Sequence, residues 1–130
     1  AKQVELDYLL ENSDVITLHI AYSDELHHLI DKKAFEKMKK SAYLINASRG
    51  KVIDELDLIN ALNEEKIAGC ALDVYEFEPK ISDELRNAKN ILLAPHLGNA
   101  TKLARVQMGE YTFDNIMQFK NGEIPKNKVN

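Results

Sequence analysis

Four residues whose types could do chemistry together each follow a short apolar run: Arg49 in "SAYLINASRG", Asp73 and Glu78 in "AGCALDVYEFEP", and His96 in "NILLAPHLGNAT". A guanidinium offers a planar two-toothed fork for a carboxylate. A histidine beside a carboxylate is a general acid/base whose imidazolium the carboxylate stabilises. Together they suit a small substrate that carries a carboxylate next to a carbonyl or hydroxyl. Taken singly, each has a plainer role: Arg49 could begin a helix, Asp73 cap a turn, Glu78 sit in solvent before Pro79, and His96 only hydrogen-bond at a strand end. Their convergence decides between the two readings, so the elements that carry them come next.

The runs at 14–20 ("DVITLHI"), 41–48, 68–74 and 90–95 are apolar on both faces, which predicts four parallel strands covered by helices on each side. Helical patterns lie between them at 31–40 and 54–66. The second puts Leu56, Ile59, Ala61 and Leu62 on one face, with Asp54 and Glu55 at the end where the helix dipole favours acids. A further helix is predicted over 4–13, a short one over 82–88, and a long one from Thr101 to about Lys120 that holds Leu103, Val106, Tyr111, Phe113, Ile116 and Phe119. Gly122 and Pro125 end it, and an extended tail follows. The alternation predicts a doubly wound α/β layer with right-handed crossovers. In such sheets ligands bind beyond the carboxyl ends of the strands. The residues leaving those ends are His19 and Ile20, then Asn46 to Gly50, then Asp73 onward, then His96 and Gly98.

Composition narrows the classes. The chain has 130 residues, 45% hydrophobic and 29% charged, enough for one domain with a core. Its net charge of −4 comes from interspersed Lys and Glu, so no basic stripe exists for nucleic acid. The lone Cys70 permits no disulfide framework and fits a reducing compartment. No run approaches the roughly 18 apolar residues of a membrane span, and no secretory signal opens the chain, so a cytoplasmic location is expected. The start lacks Met and enters directly on an amphipathic pattern, which reads as a cut. His27 and His28 are read as surface or helix-start residues and no metal site is expected, because no acid or cysteine stands beside them at ligand spacing.

The motifs "LINASRGKVIDE", "AGCALDVYEFEP" and "APHLGNAT", in that order, resemble the D-isomer-specific 2-hydroxyacid dehydrogenases, the family of D-lactate dehydrogenase, 3-phosphoglycerate dehydrogenase and glyoxylate/hydroxypyruvate reductase. "SDVITLHI" upstream agrees, and the ending "NIMQFKNGEIPKNKVN" looks like the glyoxylate/2-ketogluconate reductase branch. The resemblance implies the C-terminal part of a Rossmann-type NAD-binding domain over 1–100, with the long helix and tail over 101–130. It implies that Arg49 holds the substrate carboxylate and polarises the carbonyl. His96 would then exchange the proton with the substrate oxygen, and Glu78 would pair with His96 and favour its protonated form. Asp73 would meet the nicotinamide carboxamide, with Ile20, Ala47, Ser48, Leu97, Gly98 and Asn99 lining the cofactor beside Arg49 and His96. Ala21 stands where the family usually has proline.

The implied activity is interconversion of 2-oxo acids and D-2-hydroxy acids with NAD, NADP being the other possible acceptor. Its partners would be a small 2-oxo or 2-hydroxy acid and a second copy of the chain in a homodimer through the NAD-binding domain. With five glycines and no G-x-G-x-x-G, the chain holds no phosphate-cradling loop. The expectation is therefore a fragment inactive alone, whose open strand edge drives self-association or pairing with an N-terminal piece. A non-catalytic dinucleotide-sensing or dimerisation module on the same fold is the alternative. Formate dehydrogenase chemistry, where glutamine replaces the acid, is disfavoured by Glu78.

Overall fold

Short apolar runs separated by capped helices can pair only in parallel, because each helix carries the chain back to the same end of the sheet. The computed structural model describes residues 1–129. Strands β1 (Val15–Leu18), β2 (Tyr43–Asn46), β3 (Gly69–Leu72) and β4 (Ile91–Leu93) form one parallel sheet in the order β1-β2-β3-β4. Helix α1 (Leu6–Asn12) precedes β1, and α2 (Lys32–Lys37), α3 (Glu55–Asn63) and α4 (Asp83–Arg86) lie in the crossovers. Side chains of Asp31, Asp54 and Ser82 accept the N–H three residues on, at Ala34, Asp57 and Leu85, and so start α2, α3 and α4.

The strands are shorter than the apolar runs, and the register shows why this matters. Leu18, Asn46, Leu72 and Leu93 lie level across the sheet. The residues that follow each of them therefore leave the ladder along a single edge.

Two compact units are present, residues 1–96 and a second beginning at Leu97. In the first, Ile16, Leu18, Leu44, Cys70 and Leu72 are buried in one core with Phe35, Leu58, Leu62, Ile67 and Leu85. The alternate residues Val15, Tyr43, Ile45 and Leu92 are exposed, so within this unit only one face of the sheet is covered. Period-two alternation sends successive side chains to opposite faces, and apolarity on both faces does not by itself supply the second cover. Helix α3 also turns differently from the expectation: Leu56 is 68% exposed, and Leu58 joins Ile59, Ala61 and Leu62 in the core.

In the second unit α5 (Lys102–Lys120) starts where expected, with the Thr101 hydroxyl accepting from Ala104 N at 3.1 Å. Gly122, at φ 76°, follows its end. Leu103, Val106, Tyr111, Phe113, Ile116 and Phe119 are all exposed. Helix α5 has no single apolar face. Its apolar residues are distributed around the cylinder instead of gathering in one stripe.

Burial pushes the Cys70 thiol from its ordinary 9.0 up to about 12. The folded chain therefore keeps the thiol neutral where the unfolded chain ionises it. That contribution to stability is complete below pH 9.0 and declines as pH rises toward about 12. The slope it adds is about 1.4 kcal/mol per pH unit. Cys70→Ala is expected to be less stable at neutral pH, from lost packing, yet to show a flatter decline above pH 9, read by urea denaturation. Equal slopes for the two chains would remove the thiol as the cause.

Candidate active site

The first component is the exit from β2. Asn46, buried at the strand's last position, accepts at Oδ1 from the Ser48 N–H at 3.0 Å and from the Ser48 hydroxyl at 2.8 Å, and donates from Nδ2 to the Arg49 carbonyl at 3.0 Å. An amide side chain can satisfy these groups in both directions, which closes a fixed turn around Ala47 and Ser48. The Arg49 guanidinium donates from Nη1 to the Ser48 carbonyl at 2.7 Å, and the rest of its fork is exposed. Gly50 follows directly. A methyl group there would overlap the Tyr75 carbonyl and the Glu76 nitrogen, so only glycine lets the two backbones approach this closely.

The second component is the loop after β3. Glu78 accepts at Oε1 from Tyr75 N at 3.0 Å, and its Oε2 lies 3.2 Å from His96 Nδ1. With Glu78 ionised the ring nitrogen is the donor, which leaves Nε2 to face a substrate. Tyr75 also donates its hydroxyl to the Ala94 carbonyl at 2.6 Å and so ties this loop to the end of β4. Burial pushes the Tyr75 phenol up, with the Asp73 carboxylate acting in the same direction. His96 sits in the left-handed region at φ 54°, which costs a non-glycine residue on the order of 1 kcal/mol.

Arg49, Glu78 and His96 line one open cleft of about 540 Å³, together with Tyr22, Lys51, Tyr75 and Glu76. The residues matched to the cofactor fall elsewhere. Ala47 and Asp73 line a shallow groove of about 100 Å³ with Ile45, Leu92 and Ala94 on the exposed sheet face. That groove is nearly all apolar, with one carboxylate residue at its edge, as a flat nicotinamide ring with a carboxamide requires. Ser48 is buried beneath the turn, and Ile20 is 37% exposed beyond β1. Leu97, Gly98 and Asn99 open the second unit, where Leu97 O accepts from Ala100 N at 2.9 Å. No phosphate-cradling glycine loop occurs in the sequence.

Sequence reasoning passed over Asn46, Gly50 and Tyr75 as parts of the site. A buried amide at the end of an apolar strand was the available signal for Asn46; the others act through the backbone of a distant segment. It also misplaced His28. The ring lies 2.8 Å from Glu76 Oε1, contributed 48 positions later, and 3.2 Å from Asp54 Oδ2. His27, His28 and Glu76 bring potential ligand atoms within 4.8 Å of one another. The two imidazoles, however, stack at 3.8 Å and 22°, so their in-plane lone pairs do not converge on a point. In this group His28 Nε2 pairs with Glu76 Oε1, and His27 joins through the ring stack.

The chain is thus a parallel α/β sheet whose carboxyl edge presents a guanidinium and an acid–histidine pair, with a separate apolar groove on its exposed face. Residues 1–98 match the family described as D-isomer specific 2-hydroxyacid dehydrogenase, NAD binding domain, and the chain belongs to that family. A protein named as a 2-hydroxyacid dehydrogenase of Staphylococcus epidermidis is 50% identical over 130 residues, 100% of this chain and 41% of the relative. A glyoxylate reductase from Paecilomyes thermophila superposes with a TM-score of 0.87 at 36% identity, over 93% of this chain and 37% of that one. A D-lactate dehydrogenase from Aquifex aeolicus, solved with NAD and lactic acid, does so with 0.83 at 34% identity, over 92% and 41%. The chain thus spans about 40% of the length of its relatives. No helix among the described residues is long and apolar enough to cross a membrane.

Proposed function

We propose that this chain supplies the catalytic and nicotinamide side of an enzyme that interconverts 2-oxo acids and D-2-hydroxy acids. The observation that carries the reading is the 3.2 Å pairing of His96 Nδ1 with Glu78 on a cleft shared with Arg49. Arg49 binds the substrate carboxylate through its exposed fork and draws electron density from the neighbouring carbonyl. His96 delivers a proton from Nε2 to the carbonyl oxygen in reduction and removes the hydroxyl proton in oxidation. Glu78 keeps the ring in the tautomer that faces substrate and stabilises the imidazolium. Ala47, Asp73 and Ile20, with Ser48 in the turn, would hold the nicotinamide end of NAD. NAD, when bound, supplies or accepts the hydride.

Phe113, Ile116 and Phe119, exposed on α5, support a homodimer through this part of the protein, which sedimentation velocity reads directly. The functional test is NADH oxidation with glyoxylate, hydroxypyruvate, pyruvate and 2-ketogluconate by a fusion of this chain to the N-terminal portion of the Staphylococcus epidermidis relative. Reduction of any of them, abolished by Arg49→Ala, is the expected result. Binding of NADH without turnover of any 2-oxo acid would replace the enzyme reading with that of a dinucleotide-sensing module.

A further inference from the structure

Apart from Arg49, Glu78 and His96, the first unit holds a polar cluster formed by His28, Asp54, Glu55 and Glu76. Its geometry is reciprocal. Glu55 N donates to Glu76 Oε2 at 3.2 Å, and Glu76 N donates to Glu55 Oε2 at 3.0 Å. The second Glu76 oxygen lies 2.8 Å from His28 Nε2, and His28 Nδ1 lies 3.2 Å from Asp54 Oδ2. Asp54 in turn caps α3, and His28 N donates to the Lys51 carbonyl at 2.9 Å.

Two arms of this cluster reach segments that deliver site residues. Lys51 is two positions from Arg49. Glu76 follows Tyr75, whose N–H holds Glu78, and precedes Glu78 by two. Glu55 is 5% exposed and its carboxyl is pushed up by burial; the Glu76 N–H opposes this and the Glu76 charge adds to it. A buried acid retained in such a place needs its hydrogen-bond partners kept in position.

We propose that Glu76, clasped by Glu55 and His28, is a positioning residue that seats Glu78 against His96 and locks the Arg49 turn to the loop carrying Glu78. The proposal rests on the reading of Glu78 and His96 as the acid–base pair. Glu76 lines the same cleft, with both carboxylate oxygens engaged in the clasp, Oε2 by Glu55 N and Oε1 by His28 Nε2. Its part is to hold the loop at the height where Glu78 reaches His96 Nδ1. Without the clasp the loop is held from this side by the Asp73 N–H, which donates to the Asn46 carbonyl at 3.0 Å, and by the approach of Gly50 to Tyr75.

The tautomer of His96 reports this seating, because the group bound at one ring nitrogen decides which nitrogen carries the proton. We would record ring ¹⁵N resonances of His96 in the 130-residue chain under conditions where the ring is neutral. The Nδ1–H form is expected to dominate in the unchanged chain and to fall several-fold in Glu78→Ala. Glu76→Ala is expected to move the ratio most of the way to the Glu78→Ala value. Glu76→Gln should restore it: the amide oxygen can accept from Glu55 N while the amide N–H donates to His28 Nε2.

An unchanged ratio in Glu76→Ala, with Glu78→Ala shifted, overturns the positioning role and leaves the acid–base pair standing. An equal shift in Glu76→Gln and Glu76→Ala also overturns it, since charge would then be responsible. No shift in Glu78→Ala removes the pair and the proposal together. If Glu76→Ala does not fold, His28→Ala removes one arm of the clasp from a partly exposed position and answers the same question.

Discussion

His96→Gln is expected to lower kcat/KM for reduction of a 2-oxo acid by on the order of a thousandfold, nearly all of it in kcat, while NADH binding changes little. A positioned acid/base commonly contributes between a hundredfold and ten-thousandfold, and here the ring is held by Glu78 at 3.2 Å on a cleft shared with Arg49. Glutamine keeps the approximate length and polarity but has no group that titrates. Arg49→Leu should fall as far and differ in kind, because the fork both holds the substrate carboxylate in the ground state and polarises the carbonyl more strongly in the transition state: KM for the oxo acid rises along with the loss in kcat. Since the phosphate-binding half of the cofactor site is not in this sequence, the assay belongs on a fusion with the N-terminal portion of the Staphylococcus relative. A His96→Gln fusion that retained more than about a tenth of kcat would defeat the acid/base assignment.

Gly50→Ala carries the other large effect. The added methyl would occupy the space of the Tyr75 carbonyl and the Glu76 nitrogen, and neither is the movable end of a side chain. One of the two segments must therefore shift. Overpacking against backbone is expected to cost about 3 kcal/mol, a large share of the 5 to 15 typical of a domain. The displaced Tyr75 would also carry Glu78 with it, because the Tyr75 N–H is one of its two anchors. Urea denaturation should show the midpoint falling without a change in slope, and the His96 ring should lose its Nδ1–H preference. Full stability in Gly50→Ala would mean that the close approach of the two segments is not maintained in solution.

The order of elements was legible because its cause is local. Apolar runs of strand length, Asp31, Asp54, Ser82 and Thr101 as caps, and Gly122 as a stop each act within a few residues of themselves. Arg49, Glu78 and His96 were legible for a related reason: each follows a strand, and a parallel sheet brings strand ends to one edge. What covers a face was not. Val15, Tyr43, Ile45 and Leu92 carry the apolarity of buried residues and stand exposed in the first unit, as do Leu56 on α3 and the apolar residues of α5. Hydrophobicity states that a side chain gains by burial and does not say what will bury it.

The sequence by itself determined the family and the strand and helix order, and it singled out Arg49, Glu78 and His96, which line one cleft. Those depend on residue type and on spacing along the chain. Only the tertiary structure decided that His28 is bridged by Asp54 and Glu76, that Glu55 and Glu76 exchange hydrogen bonds, and that Gly50 is the one residue able to pass Tyr75. Each of those contacts joins segments more than twenty residues apart. Hydrogen bonds of that range are set by how the crossovers pack, which no local pattern encodes.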